Sequence, residues 1–348
     1  MKRNLSIDQY LNAKAASHRP RFRFAGKTKQ DWKRWRTGLL PAAVQTLGTM
    51  PTKVPLRSEL ICEWTEDGLI KQRIVFDVEP GLSVIGLVFR PAKSTGRLPA
   101  ILCCHGHGGP FGKNLIMGDR STVELRAKIA EHNNYDYGLQ MAKAGFVTMA
   151  IDWRGFGERD DRRKPHNHDI TWGRDLCDVN FIRAVIFGQT LLGLNIHDGQ
   201  CALDYLCRQK FVDPQRIGVM GISFGGTMTT WISICDQRIK AADVICYSDQ
   251  FADFGIRDAN FCGSQISPGL YALADVPDLQ GLIAPRPLLV EVGRQDNCFL
   301  IESALSCYRE VEKIYQTAGA RDRLELDLFT GGHMWGGHKS VDFFRKNL

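Results

Sequence analysis

The sequence predicts an α/β protein: a mostly parallel sheet of about eight strands with helices on both faces, preceded by an N-terminal helical extension. Three observations lead there. Beyond residue 98, short apolar runs alternate with helix-like runs, the pattern of strand–helix–strand units whose strands lie parallel. One apolar run, Arg216–Met220, passes through Gly221-Ile222-Ser223-Phe224-Gly225-Gly226 into a helical run, Thr227–Ile234. The chain has 348 residues, 44% of them hydrophobic, enough for one large core.

In chain order, Ser6-Ile7-Asp8-Gln9 has the pattern of a capping box, opening a helix that stops before Pro20. A second helical stretch covers Gln30–Gly38 and a third starts near Pro41, so residues 1–57 form the extension and 58–348 the α/β domain. Leu60–Trp64, Ile74–Phe76 and Leu82–Phe89 read as antiparallel strands, with turns at Asp67-Gly68 and Glu79-Pro80-Gly81. Leu98–Cys104 is almost wholly apolar, as suits a strand covered on both faces. A helix over Tyr137–Ala144 and a strand over Phe146–Ile151 follow. Residues 158–195 then interrupt the rhythm: a charged stretch, Arg159–Asp169, precedes a helical run over Val179–Leu192. Such insertions sit at the C-terminal edge of a parallel sheet. Asp198–Gln209 reads as a helix and Val212-Asp213-Pro214 as a turn. Beyond the Ser223 turn come a strand at Ala241–Tyr247, an irregular insertion over 250–283, and a strand at Arg286–Val292. A helix at Glu302–Thr317, a strand at Leu324–Phe329 and a closing helix at Ser340–Asn347 complete the chain.

Net charge is +7, concentrated at one end. Residues 1–40 hold eleven basic side chains against two acids, Asp8 and Asp31. A basic arm can meet nucleic acid, but more often it is a solvated surface or a docking segment. Trp32 and Trp35 favour docking, on the α/β domain or on a second copy in a homo-oligomer; neither nucleic acid nor membrane is expected as a partner. The N-terminus lacks the apolar core of a signal peptide, and no run approaches the roughly 20 apolar residues of a membrane span. Eleven scattered cysteines, an odd number, suit reduced thiols in the cytoplasm. No Cys-x-x-Cys pair supports a zinc or redox motif.

The strand, Gly-x-Ser-x-Gly and helix together form a nucleophile elbow, which holds its serine strained at a helix N-terminus. Gly221 and Gly225 stand where side chains would collide with neighbouring backbone. A serine hydroxyl needs an adjacent base, and histidine titrates in the right range. A carboxylate must then fix the imidazole tautomer. The order serine, acid, histidine is met by Ser223, Asp296 and His333, each directly after a predicted strand. Asp249, which also ends a strand, rivals Asp296, and His338 is the other nearby histidine. Two backbone N–H groups must hold the oxyanion: Phe224 supplies one, and His107 the other, with Gly108 as the alternative. His105 and His107 also have the composition of a metal site, but no carboxylates converge with them in sequence; His166-Asn167-His168-Asp169 reads as a polar loop. The site is expected to use neither metal nor cofactor.

These segments carry a resemblance. His105-Gly106-His107-Gly108-Gly109, Asp152–Gly157, Val212–Gly218 with Gly221–Gly226, Asp236–Ala242 and Gly331-Gly332-His333 resemble the α/β-hydrolase superfamily, in its bacterial acetyl xylan esterase-like and dienelactone hydrolase-like branch. The resemblance spans roughly residues 58–348 and leaves the arm outside. It implies the α/β-hydrolase fold and hydrolysis of short-acyl esters of small molecules, with carbohydrate esters a candidate class. Dienelactone hydrolases carry a cysteine nucleophile; Ser223 departs from them and favours ordinary ester hydrolysis. A serine peptidase of the prolyl-oligopeptidase type is the alternative, but no propeller repeat is present. A noncatalytic binding protein of this fold is another, and the intact Ser223, Asp296 and His333 argue against it. The charged opening of the first insertion, Arg159–Lys164, is a poor wall for a long acyl tail, while Asp152, Trp153 and Arg154 are placed to order a wall suited to a sugar.

Overall fold

The computed structural model describes residues 3–131, 134–163 and 174–348. Its centre is a sheet of nine strands: β1 (Glu59–Glu66), β2 (Leu69–Glu79), β3 (Leu82–Pro91), β4 (Leu98–Cys104), β5 (Val147–Ile151), β6 (Val212–Ile222), β7 (Ile239–Ile245), β8 (Leu288–Gly293) and β9 (Leu324–Phe329). Their order is β1-β2-β3-β5-β4-β6-β7-β8-β9. β1, β2, β3 and β5 pair antiparallel, and every pair from β5–β4 to β8–β9 is parallel. Each of the nine overlaps an apolar run read as a strand in the sequence, and β1, at the margin, is exposed along its whole length. The parallel strands are instead buried on both faces, β5 and β8 throughout, which is why they read as unbroken apolar runs. Alternate residues of β6 feed two cores, Ile217 and Val219 on one face and Met220 and Ile222 on the other.

Several boundaries differ from the sequence reading. The expected helices at Gln30–Gly38 and near Pro41 are one helix, Lys29–Gln45, with Pro41 inside it. Leu39 and Ala43 flank the proline on the buried face, and their burial outweighs the local cost of the missing N–H. The run Val179–Leu192 is broken: one helix covers Leu176–Ile186, and the next, Leu191–Cys207, starts on a Thr190 cap. Between them Gly188 takes φ +69°, which stops the first helix. Val212-Asp213-Pro214 lies within β6 rather than in a turn. The 250–283 insertion is ordered, with a π-helical segment Phe251–Arg257 and short helices Leu270–Leu273 and Val276–Gly281.

The arm docks on its own chain. A reciprocal capping box joins Thr28 and Asp31 at the start of the long helix, and Trp32, Leu39 and Ala43 are buried. Trp35 Nε1 donates to the Phe22 carbonyl at 2.6 Å, and the Arg21 and Phe22 amides donate to the carbonyls of Ala272 and Leu273. The Phe24 amide donates to Asp278 Oδ1 at 2.9 Å, where burial pushes the aspartate up to about 7. The arm thereby braces the second insertion from outside. Among the described residues no helix is long and apolar enough to cross a membrane.

Candidate active site

β6 ends at Ile222, and the helix Phe224–Cys235 begins one residue after Ser223. Ser223 itself has φ 59° and ψ −123°, a conformation that costs on the order of 1–3 kcal/mol and that L-residues hold only when the surroundings impose it. They do so here. A side chain at Gly225 would run into the Cys104 carbonyl, and one at Gly221 would come within 2.6 Å of the Cys104 and Gly225 carbonyls. The Ser223 amide is tied to the Ile245 carbonyl at 3.0 Å, and the Ser223 carbonyl accepts from Gly226 and Thr227. The strain is thus set by backbone packing between β4, β6 and β7, and the hydroxyl stands at a helix N-terminus.

Asp296 and His333 meet. His333 Nδ1 lies 2.9 Å from Asp296 Oδ2, and the imidazole stacks on Phe299 with ring centres 5.7 Å apart. Asp296 Oδ1 accepts from the amides of Cys298 and Phe299 at 2.8 and 3.0 Å. Burial acts to raise this carboxyl, but His333 and the two amides outweigh it and hold it below the ordinary range. Cys246, the residue after Ile245, stands beside the pair: its Sγ lies within 4.8 Å of ligand atoms on both Asp296 and His333. Asp249 is engaged elsewhere, accepting from Ser303 Oγ and the Gln250 amide, and burial pushes it up to about 6. His338 pairs with Asp327 at 3.2 Å on the exposed side of the loop.

The turn after β4 closes over the elbow. Gly106 has no room for a side chain, which would stand 2.5 Å from Tyr135 Oη and 3.3 Å from Ser223 Cβ. His105 is a structural residue: Trp153 N–H donates to its Nε2 at 3.2 Å, so its Nδ1 carries the proton and donates to the Gly106 carbonyl at 2.7 Å. Burial lowers its pKa to about 4, keeping it neutral. The His107 ring packs on Phe224 and Phe156, with centres 5.2 and 5.6 Å away. Among the described residues the His107 N–H makes no hydrogen bond, whereas the Gly108 N–H already donates to the Gly106 carbonyl at 2.7 Å. The Phe224 N–H, at the first helical position, has no intrahelical partner.

Asp152, Trp153 and Arg154, expected to order a substrate wall, are framework residues, and Asp152 also fastens Glu158 and Arg159 at the opening of the first insertion. Asp152 is wholly buried and accepts from the Lys113 ammonium and amide, both at 2.8 Å, and from the Glu158 amide at 3.0 Å. Arg154 forks onto Asp198 at 2.9 and 2.7 Å and reaches Glu79, and Arg159 joins the same Asp198. His166, His168 and Asp169 lie outside the described residues.

Two groups escaped the sequence reading. Glu291, on β8, holds the loop after His333: it accepts from Trp335 Nε1, Ser340 Oγ and the amides of Gly336 and Gly337. Beside it, Asp243 is raised far above the carboxylate range by burial and by the Glu291 charge, so it keeps its proton. The second group is Cys262, whose Sγ lies 2.9 Å from His107 Nε2 and 2.8 Å from Ser264 Oγ. Burial opposes its thiolate, but hydrogen bonds from Cys177 and His107 prevail and draw the thiol well below its usual value. Neither contact has a sequence signal, because the partners lie far apart in the chain.

Comparison with known proteins places this geometry. The model of the Abhydrolase family matches residues 2–327, so the match takes in the arm that the motif resemblance left out. The provisionally named hydrolase YtaP of Bacillus subtilis (strain 168) is 28% identical over 307 residues, 87% of this chain and 96% of its own. A Bacteroides fragilis NCTC 9343 structure, provisionally named an acetyl xylan esterase, superposes with a TM-score of 0.75 at 21% identity, covering 94% of this chain and 83% of that one. A glucuronoyl esterase from Solibacter usitatus does so with a TM-score of 0.67 at 16% identity, covering 92% and 94%. At such identities the superpositions show a shared fold.

Proposed function

The chain belongs to the Abhydrolase family and is a hydrolase of α/β-hydrolase fold, and on that footing we propose that it is a serine carboxylic-ester hydrolase acting through Ser223, His333 and Asp296. The observation that carries the reading is the strained Ser223 at its strand–helix turn, with the His333–Asp296 pair on the ends of neighbouring strands. Asp296 holds the Nδ1 proton of His333, which leaves Nε2 free to take the serine proton. Ser223 Oγ attacks the ester carbonyl, and the N–H groups of Phe224 and His107 receive the negative charge that develops on its oxygen. His107 is preferred to Gly108 because the Gly108 N–H is already spent. The protonated His333 then gives its proton to the departing alcohol, and water, activated by the same ring, releases the acid.

The substrate is read as a short-acyl ester, with carbohydrate esters as the favoured class. Phe156 and Phe224 stack against the oxyanion turn and Phe299 against His333, while the charged opening of the first insertion, Arg159–Arg163, is a poor wall for a long acyl tail. The esterase names of the structural neighbours support the carbohydrate alcohol. Cytoplasmic residence belongs to the same reading and is supported by eleven free thiols. The test is a panel of p-nitrophenyl esters of rising chain length, acetylated sugars, a lactone and a prolyl amide. Acetate and acetyl-sugar turnover far above octanoate turnover is expected. Efficient amide cleavage would replace the esterase with a peptidase, and silence on every ester would leave a binding protein.

A further inference from the structure

His107, Cys177 and Cys262 each present one ligand atom, and the three atoms all lie within 4.8 Å of one another. They arrive from three separate segments: the turn after β4, the first turn of the helix Leu176–Ile186, and the second insertion. We propose that this cluster is a binding site for a thiophilic divalent cation, zinc in particular, held by one imidazole and two thiolates. Zinc bonds of about 2.3 Å to sulfur and about 2.0 Å to nitrogen, set tetrahedrally, place sulfurs about 3.8 Å apart and sulfur about 3.6 Å from nitrogen. His107 Nε2 and Cys262 Sγ stand 2.9 Å apart, so they open by less than about 1 Å to admit the ion.

The surroundings suit a cation. Ser264, wholly buried, sits 2.8 Å from the Cys262 sulfur and supplies the outer hydrogen bond that orients a metal ligand. Asp178, one residue from Cys177, accepts from the Gly263 amide at 2.9 Å and brings negative charge beside the cluster. Cys177 is buried and His107 exposed, and a water would complete the tetrahedron, as in other two-cysteine, one-histidine sites. Two thiolates and an imidazole favour zinc over the hard cations magnesium and calcium. The other convergent set, Cys246, Asp296 and His333, differs: Asp296 and His333 already satisfy each other, and the Cys246 thiol donates to the Met334 carbonyl. Bound metal would cross-link the oxyanion turn to both insertions, a role separate from ester chemistry and readable without it.

Cobalt titration of the reduced, chelator-treated full chain tests the site. One equivalent of Co²⁺ should raise a thiolate-to-cobalt charge-transfer band with tetrahedral visible absorption, and one equivalent of Zn²⁺ should bleach it. Cys177→Ser, Cys262→Ser and His107→Ala should each weaken binding at least tenfold, while Cys246→Ser titrates like the parent. In the unaltered protein, Zn²⁺ should also slow alkylation of Cys262 by iodoacetamide, read by peptide mass, which needs no variant to fold. Absence of the band at millimolar Co²⁺, or its survival in the Cys177→Ser, Cys262→Ser double variant, overturns the proposal. So does its loss in Cys246→Ser alone, which would move the metal to the reaction centre.

Discussion

Asp249 and Asp296 occupy equivalent places in the chain, each just past a parallel strand beyond the elbow, and only their surroundings separate them. Asp296 faces an imidazole and two amides; Asp249 faces a serine hydroxyl and one amide. Asp296→Asn should lower turnover by on the order of 10⁴, the loss known for the matching change in a serine-protease triad. Asp249→Asn should leave turnover near the parent's and change stability instead. The Asp249 carboxyl is raised from 3.8 to about 6, so the folded state holds a proton that the unfolded state releases. Stability from this group is therefore present at low pH and lost as pH rises through that window. The amide has no charge to bury, so its melting temperature should overtake the parent's between pH 4 and pH 7, by an amount worth up to roughly 3 kcal/mol. A crippled Asp249→Asn enzyme would reverse the assignment. Chain order alone places Ser223, Asp296 and His333 just past parallel strands, because the strands that carry them are locally marked. His105 and His107 were not distinguishable in sequence: one is a buried framework acceptor and the other opens to solvent, and only tertiary contacts decide which.

The arm shows what a helix-scale reading captures. Its two tryptophans signalled docking, and Trp32 is buried while Trp35 is fastened to Phe22. The choice between its own domain and a second copy depended on partners more than 200 residues away, Ala272, Leu273 and Asp278, which no local pattern reveals. Removing residues 1–50 should lower the melting temperature and expose apolar surface to a dye such as ANS, and Leu39→Ala alone should cost about 2–5 kcal/mol in urea unfolding. An unchanged melting temperature in the truncated chain would reduce the arm to a solvated tail. Local signals also compete with burial along the chain. Pro41 signals a break that the buried face overrides, whereas Gly188, inside an apolar run, makes a real one.

Across the whole molecule, the parallel half of the sheet delivers Ser223, Asp296 and His333 to one edge, and buried charge keeps them there. Asp243 on β7 and Glu291 on β8 lie side by side, and Glu291 holds the segment from Trp335 to Ser340 that follows His333. The sequence showed these acids only as polar residues inside apolar strands, since their partners come from the far end of the chain. Because Asp243 keeps its proton on folding, Asp243→Asn should melt at or above the parent, with the gap widening as pH rises above the carboxylate range. Glu291→Gln, which takes charge from four hydrogen bonds, should instead lower the melting temperature and slow turnover together. A fall in stability for Asp243→Asn equal to that of Glu291→Gln would show that both acids are ionised. The catalytic reading itself stands or falls with the Ser223 hydroxyl, and a fluorophosphonate probe reports on it without any knowledge of the substrate. The peptide bearing Ser223 should gain the phosphonyl mass, and Ser223→Ala should lose both the label and ester turnover. A label on another serine, with Ser223→Ala fully active, would contradict it.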